Sequence, residues 1–227
     1  MSFLIEAYNN ISQELAATNT ALVAVSKTKP VEDIQQAYNI GVRDFGENYV
    51  QELADKQIQL PTDIRWHFIG HLQTNKVKYI APFVYLIHGV DSEKLLLEIN
   101  KQGKKLNKRI NCLLQIHIAK EETKFGLNED ELFQIIQKYF IEKTITLDFV
   151  NIVGLMGMAS FTDNKETIQS EFNFLKQLHT SINEQIKNDS FRVLSMGMSG
   201  DYPLAIACGS NMVRIGSLLF GERSYHH

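Results

Sequence analysis

Lys27 follows a run of apolar, strand-forming residues, Ala21 to Val25, and precedes Pro30 by three positions. An ammonium group at the end of a buried strand is costly unless something uses it. The chemistry open to such an amine is imine formation with an aldehyde. Arg214 is a second charge in an awkward place, set inside Met212-Val213-Arg214-Ile215 with apolar residues on both sides. Strand alternation puts Met212, Arg214 and Gly216 on one face. Two small-residue stretches, Ser199-Gly200 and Gly216-Ser217, lie where strands give way to turns. Small residues let backbone N–H groups approach phosphate oxygens, and helix N-termini favour the anion.

Two buried cations close together repel unless an anion or an electron-rich group lies between them. A phosphorylated pyridine aldehyde meets every demand. Its aldehyde consumes the lysine amine, its ring nitrogen accepts from the arginine, and its phosphate fills the glycine cup. The group with that chemistry is pyridoxal 5′-phosphate (PLP), held as a covalent aldimine on Lys27. Taken singly, each cation has a plainer reading, in which it reaches the rim or pairs with Glu47 or Asp201.

The elements that must position these residues alternate along the chain. Residues 3–17 carry Leu4, Tyr8, Ile11 and Leu15 at helical spacing, and this helix is expected to cover the bottom of the fold. Strands are expected at Ala21–Ser26, Arg43–Phe45, Arg65–Ile69, Val84–His88, Asn111–His117, Phe149–Met156, Arg192–Ser195 and Met212–Ile215. Helices are expected near 31–40, 48–58, 73–80, 92–106, 128–139, 164–187 and 201–207, with Pro30 opening the first. This is the α/β pattern of a single (β/α)8 TIM barrel with an extra N-terminal helix. An open doubly wound sheet is the rival, but SKTKP after strand one offers no glycine for a dinucleotide loop. No linker, charge block or low-complexity tract divides the chain. Residues 1–227 read as one domain, with the helix in 1–20 and the barrel in 21–223.

Barrel sites lie at the C-terminal ends of the strands. Lys27, Glu47-Asn48, His67, His71, Gln115, His117, Ser195, Ser199, Gly200, Asp201, Arg214, Gly216 and Ser217 collect there. Asn48 reads equally as a ligand contact or as a helix N-terminal residue. His67 and His71 have a zinc spacing only on a helix; one is read on a strand and the other in a loop, so no metal site is expected. His67 is a pocket-lining candidate, while His71, Glu121 and Lys124 read as solvated. Gly197-Met198-Ser199-Gly200-Asp201 brings its second glycine one residue too early for a hydrolase elbow.

Composition bounds the rest. A net charge of −3 gives no reason to expect nucleic acid or an anionic membrane as partner. Cys112 and Cys208 sit far apart in apolar runs and read as core residues. No apolar run approaches spanning length and the N-terminus lacks a secretion signal, so a cytoplasmic location is expected. The terminal His226-His227 are set aside as native or tag-derived.

Seven stretches together carry a resemblance: AVSKTKP (24–30), DFGENYVQE (44–52), WHFIGHLQTNK (66–76), EETKFG (121–126), GLMGM (154–158), LSMGMSGD (194–201) and VRIGSLLFGER (213–223). In this order they resemble the pyridoxal phosphate homeostasis protein family, also called the proline synthetase co-transcribed homologue family. The resemblance implies a barrel like the N-terminal domain of alanine racemase, with PLP on Lys27. It implies that Arg214 faces the pyridine nitrogen. It also implies that Ser199, Gly200, Gly216 and Ser217 hold the phosphate and that Asn48 lies near the ring. The family is associated with PLP supply and amino-acid balance rather than robust turnover. His117 and Asn211 depart from the usual wording, away from the implied ligand residues.

Chemistry separates carrier from enzyme. An arginine at the ring nitrogen does not give up its proton, so the pyridine stays unprotonated and PLP is a weak electron sink. Racemisation needs a second base. Racemases with this barrel take theirs from a second domain and a partner subunit, for which the dozen or so residues after strand eight leave no room. The expectation is a PLP carrier with no catalytic residues of its own. A weak amino-acid racemase is the alternative, and a phosphate-sugar barrel enzyme with a lysine Schiff base is a third class. The expected partners are PLP and apo-enzymes that need it, with the protein itself a monomer.

Overall fold

Every strand pairs in parallel with the next, and the eighth returns to the first. The computed structural model describes residues 3–121, 124–144 and 146–222. Glu122, Thr123, Arg223 and His226-His227 lie outside them. The strands are β1 (Ala21–Val25), β2 (Asp44–Glu47), β3 (Arg65–Phe68), β4 (Leu86–Val90), β5 (Ile110–Ile116), β6 (Val150–Gly157), β7 (Val193–Ser195) and β8 (Met212–Ile215). They form a closed barrel in the order β1 to β8. β8 closes on β1 with Val23 opposite Arg214 and Ala24 opposite Ile215.

The helices are α1 (Ile5–Ala17), α2 (Val31–Asn39), α3 (Val50–Gln57), α4 (Val77–Ile80), α5 (Glu93–Leu106), α6 (Glu129–Ile136), α7 (Lys165–Ile186), α8 (Tyr202–Ala207) and α9 (Ser217–Phe220). Their starts follow from capping chemistry. Ser92 accepts from the Leu95 N–H, Asn128 forms a capping box with Glu131, and Asn164 accepts from the Thr167 N–H. In α7, Ile168, Phe172, Leu175, Leu178 and Ile182 make one buried stripe against the barrel.

Four expectations shift. The stretch near 73–80 is a 3₁₀ turn (Thr74–Lys76) leading into the single turn of α4, and α6 passes into a π segment at Gln137–Ile141. β4 starts two residues later than expected and runs on to Val90, which takes His88 off the strand end and into the barrel. α1 joins the outer layer rather than spanning the floor. Leu4 N–H donates to Leu219 O at 2.8 Å, the Phe3 ring meets the Phe220 ring edge-on, and Tyr202 donates to Glu14. With α9 one turn long, α1 packs beside it over β1, and its Tyr8–Ser12 edge borders the floor rim beside Asp44 and Arg65.

Alternation sends Phe45, Trp66 and Phe68 outward into the helical layer, where all three are buried. The opposite face of the same strands, carrying Asp44, Gly46, Arg65 and His67, turns to the barrel axis. Part of that interior is apolar, built on Leu86, Leu113 and Met156 with Val153, Val193 and Met212. The rest is polar. Gly154 lets β6 approach β7: its φ is +154° and a Cβ there would fall 1.8 Å from Val193 O.

Candidate functional site

The ladder continues one bond past β1, since Ser26 N–H still donates to Gly46 O at 3.0 Å. Lys27 then opens a turn and is half-buried. Thr28 beside it holds φ at +64°, a left-handed backbone that a β-branched residue adopts only under constraint. The constraint is visible. Thr28 N–H donates to Glu52 Oε1 at 2.6 Å, and Ser26 Oγ donates to Glu47 Oε1 at 2.5 Å. Lys56 Nζ joins the two carboxylates, at 2.8 Å from Glu47 and 2.7 Å from Glu52, and also donates to Ser26 O. Burial pushes the Glu47 carboxyl up, against the opposing pull of the Lys56 charge. The turn that presents Lys27 is therefore clamped on both sides.

Arg214 is buried inside the barrel, as its alternation required. Its Nη1 donates to Ser195 Oγ at 2.6 Å and its Nη2 to Gly157 O at 3.1 Å. No carboxylate reaches ion-pair distance of it among the described residues. Burial lowers its pKa to about 10, partly offset by the charge of Asp201, so it remains a cation at neutral pH.

Ser199, Gly200, Gly216 and Ser217 come together. Gly216 N–H donates to Ser199 Oγ at 3.3 Å, which ties the turn after β7 to the turn after β8. Among the described residues, the backbone N–H groups of Ser199, Gly200, Ser217 and Leu218 meet no protein acceptor. A Cβ on Gly200 would meet nothing within 4 Å, whereas one on Gly216 would lie 3.3 Å from Val25 of β1. The cup is thus open on one side and closed against the strand that carries Lys27.

Asn48 leaves β2 as Lys27 leaves β1, each two residues beyond the Val25–Gly46 pair. It does not cap α3, which begins at Val50 with Tyr49 before it and no side-chain cap. Its Oδ1 is buried without a hydrogen-bond partner. The helix-cap reading of Asn48 is thereby removed, and its side-chain oxygen is left an acceptor without a donor among the described residues.

Other expectations are corrected. His67 lines no pocket mouth; it is buried among Asp44, His88 and the Tyr85 ring. His71, by contrast, is exposed as expected, bonded to Asp91 at 2.9 Å and stacked on Phe125 at 3.9 Å. Glu121 and Lys124 are half-buried and bridge the loops after β5 and β6, through Phe161 N–H at 2.7 Å and Ala159 O at 2.5 Å. Glu47 serves Lys56 and not Arg214. Sequence reasoning passed over Lys56, although a lysine three residues after Leu53 interrupts the apolar stripe of α3. It also passed over His88 and Asp44, whose polarity on buried strands was the available signal.

The profile of the alanine racemase N-terminal domain family matches residues 4–224. The pyridoxal phosphate homeostasis protein of Aquifex aeolicus is 42% identical over 205 residues, 90% of this chain and 87% of that protein. The human protein of the same name is 40% identical over 224 residues, covering 94% and 80%. PipY of Synechococcus elongatus, solved with PLP bound, superposes with a TM-score of 0.83 at 33% identity, covering 95% of this chain and 99% of that one. Alanine racemase of Bartonella henselae shares the fold, with a TM-score of 0.70 at 18% identity over 96% of this chain and 59% of that one. By closed barrel, matched profile and near-full-length identity, the chain belongs to the pyridoxal phosphate homeostasis protein family.

Proposed function

We propose that this protein holds PLP as a Schiff base on Lys27 and serves in its intracellular supply, without sustained turnover. The observation that carries the reading is Arg214, a cation buried in the barrel with a hydroxyl and a carbonyl for partners and no carboxylate at ion-pair distance among the described residues. Such a group has donor capacity left for a ligand acceptor. The names of the relatives and the PLP-bound PipY support the same ligand.

The residues present fit it. When bound, PLP supplies an electrophilic aldehyde and an electron-withdrawing ring. Lys27 Nζ is the amine for the aldehyde, in a turn held by the Glu47–Lys56 clamp. Arg214 is the donor toward the ring nitrogen, and the N–H groups around Ser199, Gly200, Gly216 and Ser217 are the donors for the phosphate. Asn48 offers its orphaned carbonyl oxygen to the ring edge. A permanently charged arginine at the ring nitrogen leaves that nitrogen without a proton, which disfavours carbanion chemistry and suits storage. The relatives' description as homeostasis proteins accords with this. We read residues 21–223 as the one barrel domain of a cytoplasmic monomer whose protein partners are apo-enzymes that need PLP.

Borohydride reduction of the PLP-loaded protein followed by peptide mapping tests the reading. A pyridoxyl group on the peptide carrying Lys27 is expected; one on any other lysine overturns it.

A further inference from the structure

A single file of polar side chains crosses the barrel interior from Arg214 to the floor. Arg214 Nη1 donates to Ser195 Oγ at 2.6 Å. Ser195 Oγ lies 3.3 Å from His88 Nδ1, and His88 Nε2 lies 2.9 Å from His67 Nδ1. His67 Nε2 lies 3.0 Å from Asp44 Oδ1. Arg65 Nε donates to the same oxygen at 2.7 Å. The first four residues are buried, while Asp44 and Arg65 keep 25% and 45% of their side-chain surface at the strands' N-terminal ends.

The two ends dictate the sense of the file. A guanidinium only donates and a carboxylate only accepts. His67 must therefore give its Nε2 proton to Asp44, leaving Nδ1 bare to accept from His88. His88 in turn carries its proton on Nε2 and accepts at Nδ1 from the Ser195 hydroxyl. That leaves the Ser195 lone pairs facing Arg214. Neutral rings are the condition of this order: a second proton on His67 would turn His88 to its Nδ1–H form, which donates to Ser195 Oγ in place of accepting from it. Burial acts in the same direction, holding both histidines neutral.

An apolar interior would be easier to build, since each buried polar group must find a partner. The fold nevertheless commits five strands to this file: β2, β3, β4, β7 and β8. Its upper end, Arg214, is buried with donors to spare and no carboxylate at ion-pair distance among the described residues.

We infer that Ser195, His88, His67 and Asp44 are positioning residues for the ligand site. They pass the pull of a carboxylate on the barrel floor to the Ser195 oxygen, and so fix the place and orientation of the Arg214 guanidinium. The consequence for PLP rests on the proposed role of Arg214 at the ring nitrogen; the file itself does not.

Two measurements on the full-length protein test this. In the PLP-free protein with 15N-labelled histidine, the ring nitrogens of His67 and His88 are expected at neutral pH as bare Nδ1 and protonated Nε2. An Nδ1–H form or a charged ring at either position overturns the file. PLP affinity is then measured for Asp44→Asn, Ser195→Ala, the double variant and Arg214→Gln, each checked for native circular dichroism. Each single change in the file is expected to weaken binding about fivefold, the scale of one hydrogen bond. The double variant is expected to lose no more than the worse single one, because the residues act as a unit. Full additivity, or unchanged affinity in both file variants while Arg214→Gln binds poorly, sinks the positioning role. Unchanged affinity in Arg214→Gln instead sinks the reading of the site, and the labelled histidines still decide the file.

Discussion

Lys56 Nζ lies 2.8 Å from Glu47 Oε1, with 6% and 0% of the two side chains exposed. Lys56 also bonds the backbone carbonyl of Ser26, the residue before Lys27. A buried pair contributes modestly as a pair, but removing one partner strands the other charge. Lys56→Met is expected to cost about 3–5 kcal/mol in urea unfolding and to weaken PLP binding by loosening the turn. Glu47→Gln keeps an acceptor for Ser26 and Lys56 and is expected to cost less. A Lys56→Met protein as stable as the wild type would show that the clamp is dispensable.

Gly200 separates folding from ligand binding. Its Cβ position is empty out to 4 Å and its φ lies outside the left-handed region, so Gly200→Ala is expected to leave stability within about 0.5 kcal/mol. In the proposed site the open space beside Gly200 takes the phosphate, and the added methyl fills part of it. PLP affinity is expected to fall about tenfold or more, the effect of displacing one or two charge-assisted hydrogen bonds. Equilibrium fluorescence titration beside a thermal melt distinguishes the two effects; unchanged affinity would remove Gly200 from the cup.

What the residues disclose without coordinates depends on which face of a strand they occupy. In a barrel clad with helices, the outward face is apolar, so Phe45, Trp66 and Phe68 reveal their strands at once. The inward face can be polar, and alternation then reads Asp44 and Arg65 as surface residues. Lys27 stood out because it ends an apolar run, and Arg214 because apolar neighbours flank it on both sides. His88 did not, because the apolar Val84-Tyr85 drew the expected strand two residues early and left the histidine at its end. Lys56 was hidden for another reason: its partners, Glu47, Glu52 and the Ser26 carbonyl, come from three different elements. Only Glu52, four residues before it on α3, is a partner that local spacing encodes.

The buried histidines predict how stability depends on pH. His67 and His88 have their pKa values lowered, chiefly by burial, so the folded chain leaves them neutral where the unfolded chain protonates them near pH 6.5. Their contribution is fully present above that pH and is lost as pH falls below it. The loss approaches about 1.4 kcal/mol per pH unit for each ring. Asp44 adds a second, lower limb. Burial raises its carboxyl, but the bonds and charges of Arg65 and His67 outweigh that and bring it to about 2. Its share is present above about pH 4 and lost toward 2. Glu47 and Asp201, raised by burial, act in the opposite sense at intermediate pH. His179, lowered to about 4 chiefly by burial, adds to the histidine limb, so urea midpoints are expected to fall steadily from pH 7.5 to 5.5. A flat profile would contradict the two neutral rings.

The choice between holding PLP and turning it over rests on the charge at Arg214. Burial brings its pKa to about 10, still well above neutrality, so in the proposed site it would offer the ring nitrogen a hydrogen bond but no transferable proton. Without that proton, negative charge developing at a substrate α-carbon is poorly delocalised. The PLP-loaded protein incubated with amino acids in deuterated water is expected to show no sustained loss of the α-proton signal by NMR. Arg214→Glu places a carboxylic acid where burial favours its protonated form, and such an acid can share its proton with the ring. In that variant α-proton exchange is expected to rise above wild type even if PLP binds more weakly. The opposite result, with multiple-turnover exchange in the wild type that vanishes in Lys27→Ala, would make Lys27 a catalytic base and the protein a racemase-type enzyme.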